Sequence, residues 1–178
     1  MKKRILALVM AGVMALSLAA CGGNSDPKSS NSGTADSDFK VGAIYINKKT
    51  DTAGYTYAHH KGITTAMDEL GLDPDSQLVI VDEVPEEDDK VAAAVDTLVG
   101  EGCDIIFGIS FNYLNAMNAK AEEYPEVIFS HATGYLSNET NFNNYFGRIY
   151  QARYLTGVAA GLKSLETGNN HVGYVSAF

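Results

Sequence analysis

The chain has 178 residues, with 13 Lys and Arg against 22 Asp and Glu, four His, two Cys and no Trp. That length accommodates one domain of ordinary size, or one lobe and part of another. A formal net charge of −9 argues against a nucleic-acid binder, which needs a basic footprint, and two Cys cannot build a disulfide scaffold.

Lys2, Lys3 and Arg4 precede an apolar run over residues 5–18. Such a run is short for a membrane span, which takes about 20 residues, and it fits a signal peptide. It closes on Leu18-Ala19-Ala20-Cys21-Gly22, which resembles the bacterial lipobox, where the Cys sulfur is acylated and becomes the new N-terminus. The expected organisation is therefore a lipoprotein signal peptide over 1–20, lipidation at Cys21 and a flexible linker over 21–38. Residues 22–38 hold no aromatic or branched aliphatic side chain, so nothing there offsets the entropy of ordering. Removing the leader leaves 10 basic against 22 acidic residues, a charge of −12. The expected location is the extracytoplasmic face of a bacterial cell membrane, reached through the lipid anchor. Acylated Cys21 would leave Cys103 without a disulfide partner, as a small buried residue.

From residue 39 onward the pattern alternates. Strands are predicted over 39–46, 78–81, 104–109 and 127–130, with a fifth over 171–175. The spacing of Ile63, Met67 and Leu70 predicts a helix over 57–70 stopped by Gly71. Acidic residues Glu86, Glu87, Asp88 and Asp89 open a helix over 85–99 that buries Val91, Val95 and Leu98. Further helices are predicted over 112–124, cut by Pro125, and over 148–165, with a loop lacking periodicity over 131–145. Barely alternating apolar strands joined by helices predict an α/β fold with a parallel sheet covered on both faces. A last strand without a covering helix reads as the mark of a truncated chain.

Open parallel sheets bind ligands beyond the C-terminal ends of their strands, so the segments that follow each strand are the candidate site: 47–57, 82–85, 110–113 and 131–135. The first, with the start of the helix that follows it, holds Tyr55, Tyr57, His59 and His60, the third Ser110, Phe111, Asn112 and Tyr113, and the fourth His131, Thr133, Gly134 and Tyr135. Aromatic faces among amide and hydroxyl groups suit a flat, hydrogen-bonding solute such as a nucleobase. Ser110 and Asn112 fit equally as helix N-caps, and Tyr55 and Phe111 could rest on the sheet edge. Adjacent His59 and His60 point different ways on a helix, so no metal site is expected. The glycines and Lys163 of 157–164 depart from phosphate-loop spacing and read as a small-residue helix face. Asn138-Glu139-Thr140 is a glycosylation sequon by pattern only. No nucleophile elbow occurs. A catalytic function and a cofactor are not expected.

Gly54-Tyr55-Thr56-Tyr57-Ala58-His59, the Phe-Gly-Ile-Ser-Phe stretch at 107–111 and the tyrosine-rich segment 145–162 resemble the basic membrane protein family, lipoprotein substrate-binding components of ABC importers that include purine-nucleoside-receptor-like members. The resemblance runs from 39 to 178. It implies a type I periplasmic-binding fold of two α/β lobes, here an N-terminal ligand-binding lobe over 39–146 and the beginning of a C-terminal lobe over 147–178. It implies that Tyr55 stacks on a base and that Ser110, Phe111 and Asn112 contact the ligand. Similar sequences often carry Asp after the His of the first motif, where this chain has His60.

The expected function is capture of a purine or nucleoside-like solute and its delivery to an ABC permease, with the ligand held by Tyr55, Tyr57, His59, Ser110, Phe111, Asn112, Thr133 and Gly134. The alternatives are a surface lipoprotein acting as a signalling or adhesion module without transport and, more remotely, a hydrolase on the same kind of sheet. Partners are the solute, the permease and the membrane, with no nucleic acid.

Overall fold

The computed structural model describes residues 38–176. The expected signal peptide, Cys21 and nearly all of the linker lie outside the described residues. The chain runs through β1 (Val41–Tyr45), α1 (Gly54–Leu70), a single turn α2 (Pro74–Gln77), β2 (Leu78–Val81), α3 (Asp88–Gly100), β3 (Ile105–Ile109), a 3₁₀ turn (Phe111–Tyr113), α4 (Leu114–Glu123), β4 (Ile128–Ala132), β5 (Phe142–Tyr145) and α5 (Ile149–Thr167).

The five strands form one sheet in the order β2-β1-β3-β4-β5, and every pair is parallel. β1 explains why. All five of its residues are buried, as a strand covered on both faces requires. Val41, Ala43 and Tyr45 join Ile63 and Met67 of α1, whereas Ile44 on the opposite face joins Val91, Val95 and Leu98 of α3 and Met117 of α4, following the period of two along a strand. Each such apolar side chain contributes about 1.5–3 kcal/mol when withdrawn from water.

The helix periodicities hold with one shift. α1 buries Ile63 and Met67, but Leu70 is 66% exposed and Leu72 is buried instead. Gly71 adopts the left-handed conformation (φ 77°), where its N–H donates to the Asp68 carbonyl and the Leu72 N–H to the Met67 carbonyl. That capping turn swings the chain so that Leu72, beyond the helix, fills the apolar position. Cys103 is 3% exposed, and burial pushes its thiol up to about 11, as expected of a small core residue.

Two expectations are corrected. The segment expected to be an aperiodic loop contains β5, which places one apolar side chain, Phe142, in the core and is otherwise fixed by polar side chains. The Asn138 Oδ1 accepts from the backbone N–H groups of Thr140, Asn141 and Phe142 at 3.0, 2.8 and 2.8 Å, a local turn that launches the strand. Asn141, 7% exposed, directs its amide to the carbonyls of Ala121, Tyr124 and Val127 at 2.9–3.0 Å. The strand predicted over 171–175, by contrast, is irregular and exposed. Alternating Val and Tyr there have no neighbouring strand among the described residues, and a strand without a partner leaves its backbone groups to water. Helix α5 buries none of its residues; Tyr150, Tyr154, Leu155, Leu162 and Leu165 are 63–76% exposed.

Candidate ligand-binding site

Chain order reverses between β1 and β3: β2 lies on one side of β1, and the later strands on the other. Loops leaving such a switch point diverge and open a crevice. Register aligns Tyr45 with Ile109, and Ala132 with Tyr145, so the segments after these strands share one edge.

On the β1 side, α1 starts at Gly54, with Tyr55 and His59 one turn apart. Their rings meet edge-on at 4.4 Å between centroids. The Tyr145 hydroxyl lies 2.9 Å from Nδ1 of His59, and its ring also meets the rings of His59 and Phe107 edge-on. Burial raises the Tyr145 phenol and lowers the His59 imidazole, so both are neutral at pH 7. Burial also raises Tyr55, opposed by the Thr133 side chain at its hydroxyl and reinforced by the charge of Glu86. Thr133 donates its N–H to the Tyr145 carbonyl at 2.9 Å and holds φ at 69°, an unfavourable region for a β-branched residue. Tyr55, His59 and Thr133 thus converge, with Tyr145 as their hub. Tyr57 is two residues from Tyr55 and therefore about 200° around the helix; it is 36% exposed and stands apart from them. His60 turns to the buried Tyr45, whose hydroxyl is 3.0 Å from its Nδ1. The adjacent histidines serve different tyrosines, and the described residues contain no cluster of three or more potential metal-ligating side chains.

On the β3 side, Ser110 is 6% exposed and stands at the N-cap of the 3₁₀ turn, where its side chain makes no capping hydrogen bond. Its hydroxyl donates to Oε1 of Glu86. Asn112 donates its side-chain amide to Oε2 of Glu86 at 3.0 Å and its backbone N–H to Oε1 at 3.4 Å. Partial burial raises the Glu86 carboxyl, but these donors outweigh it and hold the group below the usual carboxylate range. The side-chain capping reading is therefore replaced: Ser110 and Asn112 clamp a carboxylate. The Tyr113 hydroxyl donates to the Val84 carbonyl at 2.6 Å, fixing the loop that carries Glu86.

Beside this clamp opens a cleft of about 280 Å³ lined by Glu86, Asp88, Phe111, Asn112, Leu114, Asn115 and Tyr135. The rings of Phe111 and Tyr135 face it at a 45° tilt, 6.5 Å apart. His131 braces the floor, fully buried, with Nε2 donating to the Ser110 carbonyl at 2.8 Å and Nδ1 2.8 Å from Oδ1 of Asn144. Gly134 has no room for a side chain, because a Cβ there would collide with Asn144, His131 and Leu114. Its role in the structure is close packing beneath the rim.

Glu86 and Tyr145 lie outside the candidate segments expected from the sequence, and Tyr135 lies inside one of them without an expected ligand contact. By its sequence Glu86 belongs to a helix's acidic first turn; in the structure it follows β2 on the binding edge and precedes α3. Tyr145 carries only the signal of opening a tyrosine-rich segment.

A parallel α/β sheet with aromatic and amide groups around its switch point has the geometry in which open α/β sheets bind ligands. Residues 39–177 match the family of PnrA-like ABC transporter substrate-binding proteins, and the chain belongs to that family. Over 75 residues, 42% of this chain and 18% of the relative, it is 52% identical to a protein named as an ABC transporter glucose-binding protein of Haloferax volcanii. It is 31% identical to a purine-binding protein of Brucella abortus over 141 residues, 79% of this chain and 39% of the relative. Among solved structures, an ABC transporter solute-binding protein of Aeropyrum pernix shares the fold with a TM-score of 0.58 at 20% identity, over 73% of this chain and 35% of that one. The chain thus spans well under half the length of these relatives.

Proposed function

We propose that the protein captures a purine or nucleoside-like solute at the switch-point crevice and delivers it to an ABC permease. The observation that carries this reading is the pair of large aromatic faces left 41% and 38% exposed, Tyr55 and Phe111, on the two sides of the crevice. Flat solutes are held by such faces, while Asn112, His59 and Thr133 supply polar edges. Family membership and the purine-binding relative support it. Ser110 takes part through Glu86, and Gly134 by letting the rim pack. Tyr57 stands at the periphery.

Calorimetric titration of the intact protein with nucleosides, bases and sugars tests the reading. Micromolar or tighter binding of a purine compound is expected, weakened by about 1–3 kcal/mol in Tyr55→Ala if the ring stacks on the base. Heat from none of these compounds refutes it. A second reading, a sugar ligand, is favoured by the 52% identity to the glucose-binding relative; heat from glucose alone selects it. Turnover of any compound would favour an enzyme instead.

The leader assigns the protein to the outer face of a bacterial membrane, tethered through acylated Cys21. Metabolic labelling with a palmitate analogue is expected to mark the wild type and not Cys21→Ser; equal labelling of the two removes the anchor. Residues 147–178 are assigned to the start of a second lobe, a reading supported by the uncovered apolar side chains of α5.

A further inference from the structure

We infer that Tyr145 is a positioning residue that fixes the tautomer of His59, so that the crevice offers an N–H donor at His59 Nε2 and selects a solute with a lone-pair acceptor, an aromatic ring nitrogen or a carbonyl oxygen. The inference rests on the crevice being the solute site, and it adds the polarity of the contact.

The geometry is specific. Tyr145 closes β5, a strand at the sheet's edge, while His59 lies on α1, 86 positions earlier in the chain, yet Oη and Nδ1 are 2.9 Å apart. A phenol O–H is a donor and acceptor, and a neutral imidazole carries one N–H and one lone pair. Two arrangements could satisfy the contact. In one, Tyr145 donates to a bare Nδ1 and Nε2 carries the hydrogen. In the other, Nδ1–H donates to the phenol, whose own proton then needs a further acceptor. Among the described residues the phenol, half-buried, has Nδ1 of His59 as the acceptor within reach of its proton; the first arrangement uses that acceptor inside the protein, whereas the second would send the proton out into the crevice. Ring contacts to His59 at 5.6 Å and Phe107 at 6.2 Å hold Tyr145 in place. On the other flank Tyr55 fixes the imidazole plane. Nδ1 is thereby consumed inside the protein and Nε2 is the ring edge left to a ligand. The neighbouring histidine repeats the device, with the buried Tyr45 hydroxyl 3.0 Å from Nδ1 of His60.

Long-range ¹H–¹⁵N correlation spectra of the intact protein near neutral pH, with His59 assigned by its loss in His59→Gln, read the tautomer without any ligand. The expected result is protonated Nε2 and bare Nδ1 in the wild type. In Tyr145→Phe, which keeps the ring contacts, a substantial Nδ1–H population is expected. A wild-type His59 protonated at Nδ1, or an unchanged tautomer in Tyr145→Phe, overturns the assignment; the wild-type spectrum alone decides if that variant does not fold. Binding supplies the second arm, using adenosine and its 1-, 3- and 7-deaza analogues, each lacking one ring nitrogen. One analogue is expected to lose about tenfold in affinity in the wild type and no more than adenosine itself does in His59→Ala. Binding of all four with equal affinity overturns donation to a ring nitrogen. If none binds, the purine reading fails, while the tautomer spectrum still decides the role of Tyr145.

Discussion

Glu86 shows how a single side chain organises the crevice. Its carboxylate gathers three donors, the Ser110 hydroxyl and the side chain and backbone of Asn112, and so ties the loop after β2 to the turn after β3. Because the folded-state group titrates below its ordinary 4.5, the stabilisation is complete above that value and is lost as pH falls through the lower folded value. Denaturant midpoints measured from about pH 6 to about pH 3 should fall more steeply in the wild type than in Glu86→Gln, which lacks the titrating charge. Parallel acid limbs would mean that Glu86 contributes nothing. Such a residue is hard to find from sequence. Four consecutive acidic residues before an apolar-periodic stretch describe a helix N-terminus just as well, and only the fold reveals that Glu86 stops short of α3. Tyr55 and His59 were easier, since they follow β1 on the edge where open parallel sheets bind ligands; that α1 begins early enough to put both on one helix face is what the structure adds.

Among the elements, β5 depends most on side-chain hydrogen bonds. Its sequence, Phe-Asn-Asn-Tyr, carries no run of branched apolar residues, and hydrophobic pattern is the main strand signal. Beyond its backbone pairing with β4 and the buried Phe142, it is held by Asn141, whose amide serves three carbonyls at the C-terminal end of α4 and the start of β4, and by the Ser130 hydroxyl donating to Asn143. Asn141→Ala leaves buried carbonyls unpaired and should destabilise the fold by about 1–3 kcal/mol, read by urea denaturation; no change in midpoint would show that β5 docks without it. The opposite failure, over 171–175, has the same root: alternation of Val and Tyr resembles a strand, but a strand exists only where another backbone accepts its hydrogen bonds. β1, β2 and β3 were legible as nearly unbroken apolar runs, and β4 through Val127, Ile128 and Phe129 ahead of the buried polar Ser130 and His131.

For the molecule as a whole, stability is unevenly distributed. The core formed by α1, α3 and α4 against the sheet excludes water, whereas α5 leaves all of its residues outside that core. Helices without buried contacts open at little cost. Hydrogen exchange on the 178-residue chain should therefore find α5 amides exchanging orders of magnitude faster than those of α3; comparable protection would mean that α5 is covered. The one interior thiol among the described residues offers a practical opening. Cys103 keeps its proton at neutral pH and lies out of reach of thiol reagents. With Cys21 replaced by serine, a fluorophore attached through a new cysteine at Tyr135, which stands 75% exposed at the mouth of the cleft, would be the sole label and would report occupancy by its emission.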